Sequence, residues 1–318
     1  HNSDELISRM RYDAQLWHDI LWTSGGALEL SKCQYHLMDW NFTVAGATIL
    51  KTGLNPNPIE LLSPVRENLP IKQLGCGVSY KTLGALVEPL QHQQTHFRSL
   101  LKLARTHTKL LATSSCKYNH AWIYYFSVFL RSVGYSLPIC HFTKSQLNTI
   151  QKPMTPVLLS KMGICQNTSR QLAFMSSYYG GLDLRDLYIE QGTGQLEFII
   201  RHLHSPGMTG SLLKIVLGWS QFNAGVSFCI MSQPSTPLLH LEGNWLVSVR
   251  NFLNFIHGSL EFSDPQIPPP QRAGDLYLMD LAISSDFTPH ELSGINLCLL
   301  SPNALPLSSI TNASRPPH

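Results

Sequence analysis

Arg98, Lys102, Arg105 and Lys109 in the stretch RSLLKLARTHTK are spaced by four, three and four residues. On a helix turning 100° per residue they fall within about 60° of one another. Leu100, Leu103 and Leu111 fall opposite. A solvated helix face ordinarily mixes in Glu or Asp at i+3 or i+4, and this one has none. A row of fixed positive charges without acids is suited to a polyanion, and phosphate backbones supply one while releasing counterions as they bind.

The stripe belongs to a longer pattern. From Pro89 through Leu182 there is no Asp or Glu, while ten Lys or Arg occur: the four above with Lys117, Arg131, Lys144, Lys152, Lys161 and Arg170. The whole chain has a formal charge of only +3, so the remainder is net acidic. Tyr118, Trp122, Tyr124, Tyr125 and Phe126 follow Lys117 and offer rings for base stacking, although an apolar helix core uses the same residues.

Other chemistry is scarce. His92 and His96 would share a helix face, but no Glu completes an H-E-x-x-H frame, so they read as surface or interface histidines. Cys33 with His36, Cys116 with His120, and Cys140-His141 are isolated pairs without partners at zinc-finger spacing. Asp183 and Asp186 in GGLDLRDL stand at a helix start, where the dipole favours acids. Phosphate-loop, dinucleotide-binding and nucleophile-elbow motifs do not occur. No metal site is expected in this piece. Seven cysteines without C-x-x-C argue against a disulfide framework and fit a reducing intracellular setting, nuclear or cytoplasmic. The most apolar run, AWIYYFSVFL at 121–130, is about half a bilayer's length and is closed by Arg131, so a buried helix rather than a membrane span is expected.

The elements that must position these residues are mainly helical. A helix opens at Ser3 with Asp4 and Glu5 in its first turn and stops at Gly25-Gly26. Short strands are expected within 33–42 and 71–74, separated by an Asn/Pro-rich turn segment at 53–64. Helical patterns follow near 90–113, 117–134, 143–162, 185–204, 208–224 and 243–259, then a Pro-rich extended run at 264–275 and one more helical segment or two at 275–300. The chain begins at His1 without an initiator Met and ends on SSITNASRPPH. It reads as a piece of a longer protein.

Several short stretches, in order, resemble the reverse transcriptases of non-LTR (LINE-type) retrotransposons downstream of their catalytic Y-x-D-D turn. SGGALELSKC at 24–33 is similar to that family's G-L-x-L-N-x-x-K element, with Lys32 in the lysine position and Glu29 in place of Asn. YKTLGALVEP at 80–89 is similar to its primer-gripping turn, with Leu83-Gly84 at the centre. GGLDLRDL at 180–187 resembles a G-G-L-G-L-x-D-L element, with Asp183 in place of Gly. The resemblance implies an RNA-directed DNA polymerase, with the end of the palm at 1–90 and a basic thumb at 91–205. A helical extension at 206–262, a linker at 263–274 and a truncated segment at 275–318 complete it.

It implies further that Arg98, Lys102, Arg105, Lys109 and Lys117 follow the phosphates of an RNA or RNA–DNA template–primer, and that Lys32 is a candidate general acid on the leaving pyrophosphate. The aspartates holding two Mg²⁺ would belong upstream of His1, leaving this piece inactive alone. Two other readings stay open at this point. One is a basic helical interaction protein docking an acidic partner or the chain's own acids; the other is a decayed copy, suggested by Pro153 and Pro156 inside an expected thumb helix.

Overall fold

The computed structural model describes residues 3–42, 48–51, 53–54, 58–63, 67–82, 84–90, 92–205, 207–269, 272, 274–300 and 305–309. It is mainly helical, with its strands near the N-terminus. The chain forms two compact units, residues 1–96 and 97–318.

The first unit opens with helix α1 (Ser3–Thr23). It ends where expected, because Gly25 takes φ +81° and Gly26 N–H bonds back to Leu21 O at 2.8 Å. Among the described residues eight three-residue strands follow: β1 (Gln34–His36), β2 (Trp40–Phe42), β3 (Thr48–Leu50), β4 (Glu60–Leu62), β5 (Asn68–Pro70), β6 (Lys72–Leu74), β7 (Tyr80–Thr82) and β8 (Ala85–Val87). They pair as four separate ladders: β1 with β6 in parallel, and β2–β3, β4–β5 and β7–β8 antiparallel.

Strand β4 lies inside the segment expected to be turns. It forms because Ile59 and Leu61 are buried in a small core with Ile7, Tyr35 and Ile71. The Gln15 amide of α1 then plays the part of a further strand, donating to Leu62 O at 3.0 Å and accepting from Leu62 N at 2.7 Å.

The second unit is helical. Helix α2 (Gln94–Thr113) leads to α3 (Tyr118–Tyr124), which continues through a π turn at Tyr125–Phe129 into α4 (Leu130–Gly134). Next come α5 (Lys144–Gln151), α6 (Met154–Lys161), a short α7 (Arg170–Phe174) that sequence periodicity did not reveal, and α8 (Leu187–His204). Helices α9 (Met208–Ala224), α10 (Trp245–Phe255), α11 (Leu278–Ile283) and α12 (Pro289–Leu300) complete it.

The single helix expected over 143–162 is two. The break falls at Lys152-Pro153, and Pro156 sits in the first turn of α6, where backbone N–H groups have no intrahelical acceptor to lose. Both prolines are therefore accommodated without distorting a helix interior. The capping box of α5 forms between Thr143 and Gln146.

Two hydrophobic cores fill this unit. One gathers Leu100, Ala104 and Leu111 of α2 with Tyr125, Phe129, Leu147, Leu158 and Leu187; the other gathers Ile199, Leu217, Val249, Leu253 and Met279. Helices α8 and α10 contribute to both, so the cores are continuous through them. Gly192 inside α8 makes this possible, since a Cβ there would lie 2.1 Å from the ring of Phe252 on α10. The helix gives up about 1 kcal/mol of propensity for the close approach.

Candidate nucleic-acid interface

Helix α2 is amphipathic as its spacing demands. Leu100, Ala104 and Leu111 are buried, with Leu101 and Leu103 packed at the margin, while Arg98, Lys102, Arg105 and Lys109 are all exposed. The threonines of the helix do not interrupt the row: Thr106 and Thr113 turn their hydroxyls back to Lys102 O and Lys109 O, both at 3.0 Å. The four bases with Leu101 and Thr106 line an open groove of about 400 Å³. Along the helix axis Arg98 and Lys109 are roughly 16 Å apart, a rise covered by about five nucleotides of one strand.

Among the described residues no carboxylate lies within 4.0 Å of the charges of this groove. Among the described residues, ion pairs join Lys51 to Asp39, Arg185 to Glu190 and Arg201 to Glu197, and none of the ten bases between Pro89 and Leu182 lies within 4.0 Å of a carboxylate. Among the described residues, the basic block makes no ion pair with the chain's own acids. Lys161 alone is turned inward, its ammonium donating to Ser114 O just beyond the end of α2. Lys117 is exposed at the N-cap position of α3, outside the groove.

The aromatic run after Lys117 divides between roles. Tyr125 is buried and its hydroxyl donates to Arg185 O at 2.7 Å, whereas Tyr118 and Trp122 are exposed. The apolar run containing them is a helix that is buried on one side only, since Ile123 and Val128 also face solvent. No helix among the described residues is long and apolar enough to cross a membrane.

In the first unit Lys32 ends a short 3₁₀ turn with its side chain exposed, and Tyr80 OH donates to its carbonyl at 2.7 Å. Glu29 bonds the Ser31 hydroxyl at 2.5 Å. Gly84, at φ +94°, lies in the turn between β7 and β8, where Thr82 pairs with Ala85; Leu83 lies outside the described residues. His92 and His96 do not converge: His92 faces Glu88 at 3.2 Å, and His96 is buried rather than at the surface, accepting from Leu86 N–H. Asp186 caps α8 through Tyr188 N at 2.7 Å, as expected of an acid at a helix start. All seven cysteines are free, and burial raises the thiol pKa of Cys140 to about 12.

Burial also sets a pH response. His96, His107, His141 and His240 all titrate below the ordinary histidine value, each mainly because desolvation penalises the imidazolium. The unfolded chain therefore takes up protons near pH 6.5 that the folded chain refuses, and folding stability falls as the pH drops through that value. The urea midpoint should be lower at pH 5.5 than at pH 7.5. An unchanged or higher midpoint would mean that these imidazoles are charged in the fold.

Comparison of the chain with protein-family models, with curated proteins and with solved structures finds no match in any of the three.

One feature of the charge pattern escaped sequence reading. Lys144, Lys152 and Arg170 come together on a separate cavity of about 580 Å³ beside α5, α7 and the start of α8. The i, i+4, i+8 spacing of Lys144, Asn148 and Lys152 is a local signal that could have found two of the three. Arg170 is brought there only by packing.

Proposed function

We propose that this chain is the part of a retroelement RNA-directed DNA polymerase that holds the template–primer duplex, comprising the end of a palm, a thumb and a helical extension. The observation that carries the reading is the α2 face: four exposed bases in one row, opposite a buried leucine face, with no carboxylate within 4.0 Å among the described residues. Such contacts fix the position of phosphates without reading sequence, as a polymerase clamp requires.

A second observation supports the resemblance at GGLDLRDL. Asp183 has φ +53°, a left-handed backbone that favours glycine, and glycine is the residue the family carries there. Gly181 has no room for a side chain, because a Cβ would stand 2.0 Å from Met175 O. Asp183 fits as a substitute because its carboxylate accepts from Ser177 and Ser176, which hold it below the usual carboxylate range.

Lys32 is the candidate general acid of this reading, and Leu83-Gly84 the candidate primer grip. Nucleotidyl transfer needs carboxylates to hold Mg²⁺. Among the described residues no group of three or more His, Cys, Asp or Glu side chains converges, so they do not fit the metal pair and no step of the transfer is assigned to them.

The test is anisotropy of a labelled RNA–DNA hybrid against the chain, between about 50 and 200 mM salt. Neutralising about four to six phosphates should give log K against log salt a slope of roughly −3 to −6, with little dependence on sequence. A flat salt dependence removes the proposal.

A further inference from the structure

We propose that the cavity beside α5, α7 and the start of α8 is a nucleotide site, separate from the α2 groove and not dependent on the duplex reading. Its charged rim is Lys144, Lys152 and Arg170, all exposed and without a carboxylate within 4.0 Å among the described residues. Three cations supplied by two separate stretches of chain make the rim positive, with Lys144 and Lys152 about 12 Å apart along α5, so that a phosphate need meet only part of it. The one acid on the wall, Asp186, has an oxygen already committed to capping α8, at 2.7 Å from Tyr188 N.

The rest of the wall excludes a bare anion as the whole ligand. Phe174 and Phe255 line the same space, and Lys144 Nζ already sits 4.0 Å from the centroid of the Phe255 ring. A planar base can lie against these rings while its phosphate meets the rim. Asn148 and Gln171 add side-chain amides, whose paired donor and acceptor suit a base edge.

The floor is fixed in advance. Gln151 donates to Tyr125 OH at 2.9 Å and to Arg185 O at 2.7 Å, and accepts from Leu187 N at 3.0 Å, so it is held rigid and keeps no free group to be satisfied by a ligand. The volume of about 580 Å³ lies in the range of small-molecule sites.

The test titrates the whole chain by calorimetry with adenosine monophosphate, adenosine and inorganic phosphate. The monophosphate should bind at least about tenfold more tightly than either of the others. Lys152→Glu with Arg170→Glu should weaken it by about tenfold or more, with an unchanged far-UV spectrum, because both side chains are exposed and neither lies within 4.0 Å of a carboxylate among the described residues. Phe255→Leu, which keeps the wall apolar but removes the ring, should weaken the monophosphate and leave phosphate unaffected. Arg98→Glu with Arg105→Glu should leave monophosphate binding unchanged, which separates this site from the duplex groove.

A 5′-phosphorylated tetranucleotide that displaces the monophosphate assigns the site to a strand end. Failure to displace it assigns a free nucleotide. Absence of saturable monophosphate binding, or phosphate binding as tightly as the nucleotide, overturns the proposal.

Discussion

Changing Arg98, Lys102 and Arg105 together to Glu should abolish binding of an RNA–DNA hybrid while the protein stays folded. An exposed charge pair at about 4 Å is worth roughly 1 kcal/mol in water, and reversal turns that attraction into a similar repulsion. Three sites then lose about 6 kcal/mol, on the order of ten-thousand-fold in affinity. Folding should change by less than about 1 kcal/mol, because these side chains are exposed and none is within 4.0 Å of a carboxylate among the described residues. The triple change leaves 98/102 and 102/105 like-charged, now negative instead of positive, and gives Lys109 an acid four residues before it.

Anisotropy and urea unfolding on the same variant check both halves. Affinity within threefold of the unaltered chain sinks the clamp. A sharp loss of stability instead would mean that the face is packed against other parts of the molecule.

The largest effect on stability is expected at Arg250. This side chain on α10 is 5 % exposed, and its guanidinium donates only to carbonyls: Ile230 O at 2.9 Å, Gln233 O at 2.8 Å and Thr236 O. Desolvation by burial pulls its pKa down to about 10, with no carboxylate within 4.0 Å among the described residues, so it remains charged at pH 7. The three carbonyls belong to residues 226–241, a stretch without helix or strand that nevertheless buries Val226, Ile230, Met231 and Leu238 in the second core. Gln221 holds the same stretch from α9, donating to Phe228 O at 2.7 Å and accepting from Ile230 N at 3.1 Å.

Arg250→Met keeps the apolar stem and removes every donor, leaving three inward carbonyls without their partner. The expected cost is about 3–5 kcal/mol, from the loss of charge-assisted bonds and the desolvation of acceptors left behind. Arg250→Lys should recover less than half, since a single ammonium cannot span three carbonyls. Urea midpoints with an unchanged slope measure this. A loss under about 1 kcal/mol would show that the stretch is held by its apolar contacts alone.

How much of this was legible in the sequence follows from how local each feature is. The start and stop of α1, the amphipathic row of α2 and the cap of α8 at Asp186 are set by residues within a turn or two of each other, and each formed where spacing placed it. The eight strands are three residues long, too short for alternation to register, and β4 exists because α1 supplies Gln15 and a shared core to a stretch rich in Asn and Pro. The close seat of Phe252 on Gly192 and the carbonyl set around Arg250 are likewise agreements between distant segments, whereas the break at Pro153 is local.

The sequence by itself determined that a 94-residue stretch is wholly basic, that its first helix shows its charges in one row, and that the chain is mainly helical. Only the tertiary structure decided that those charges make no ion pair among the described residues and that Arg170 joins Lys144 and Lys152 at one cavity. Periodicity fixes which way a side chain points from its own helix. What it then meets depends on which other helix the hydrophobic core draws alongside.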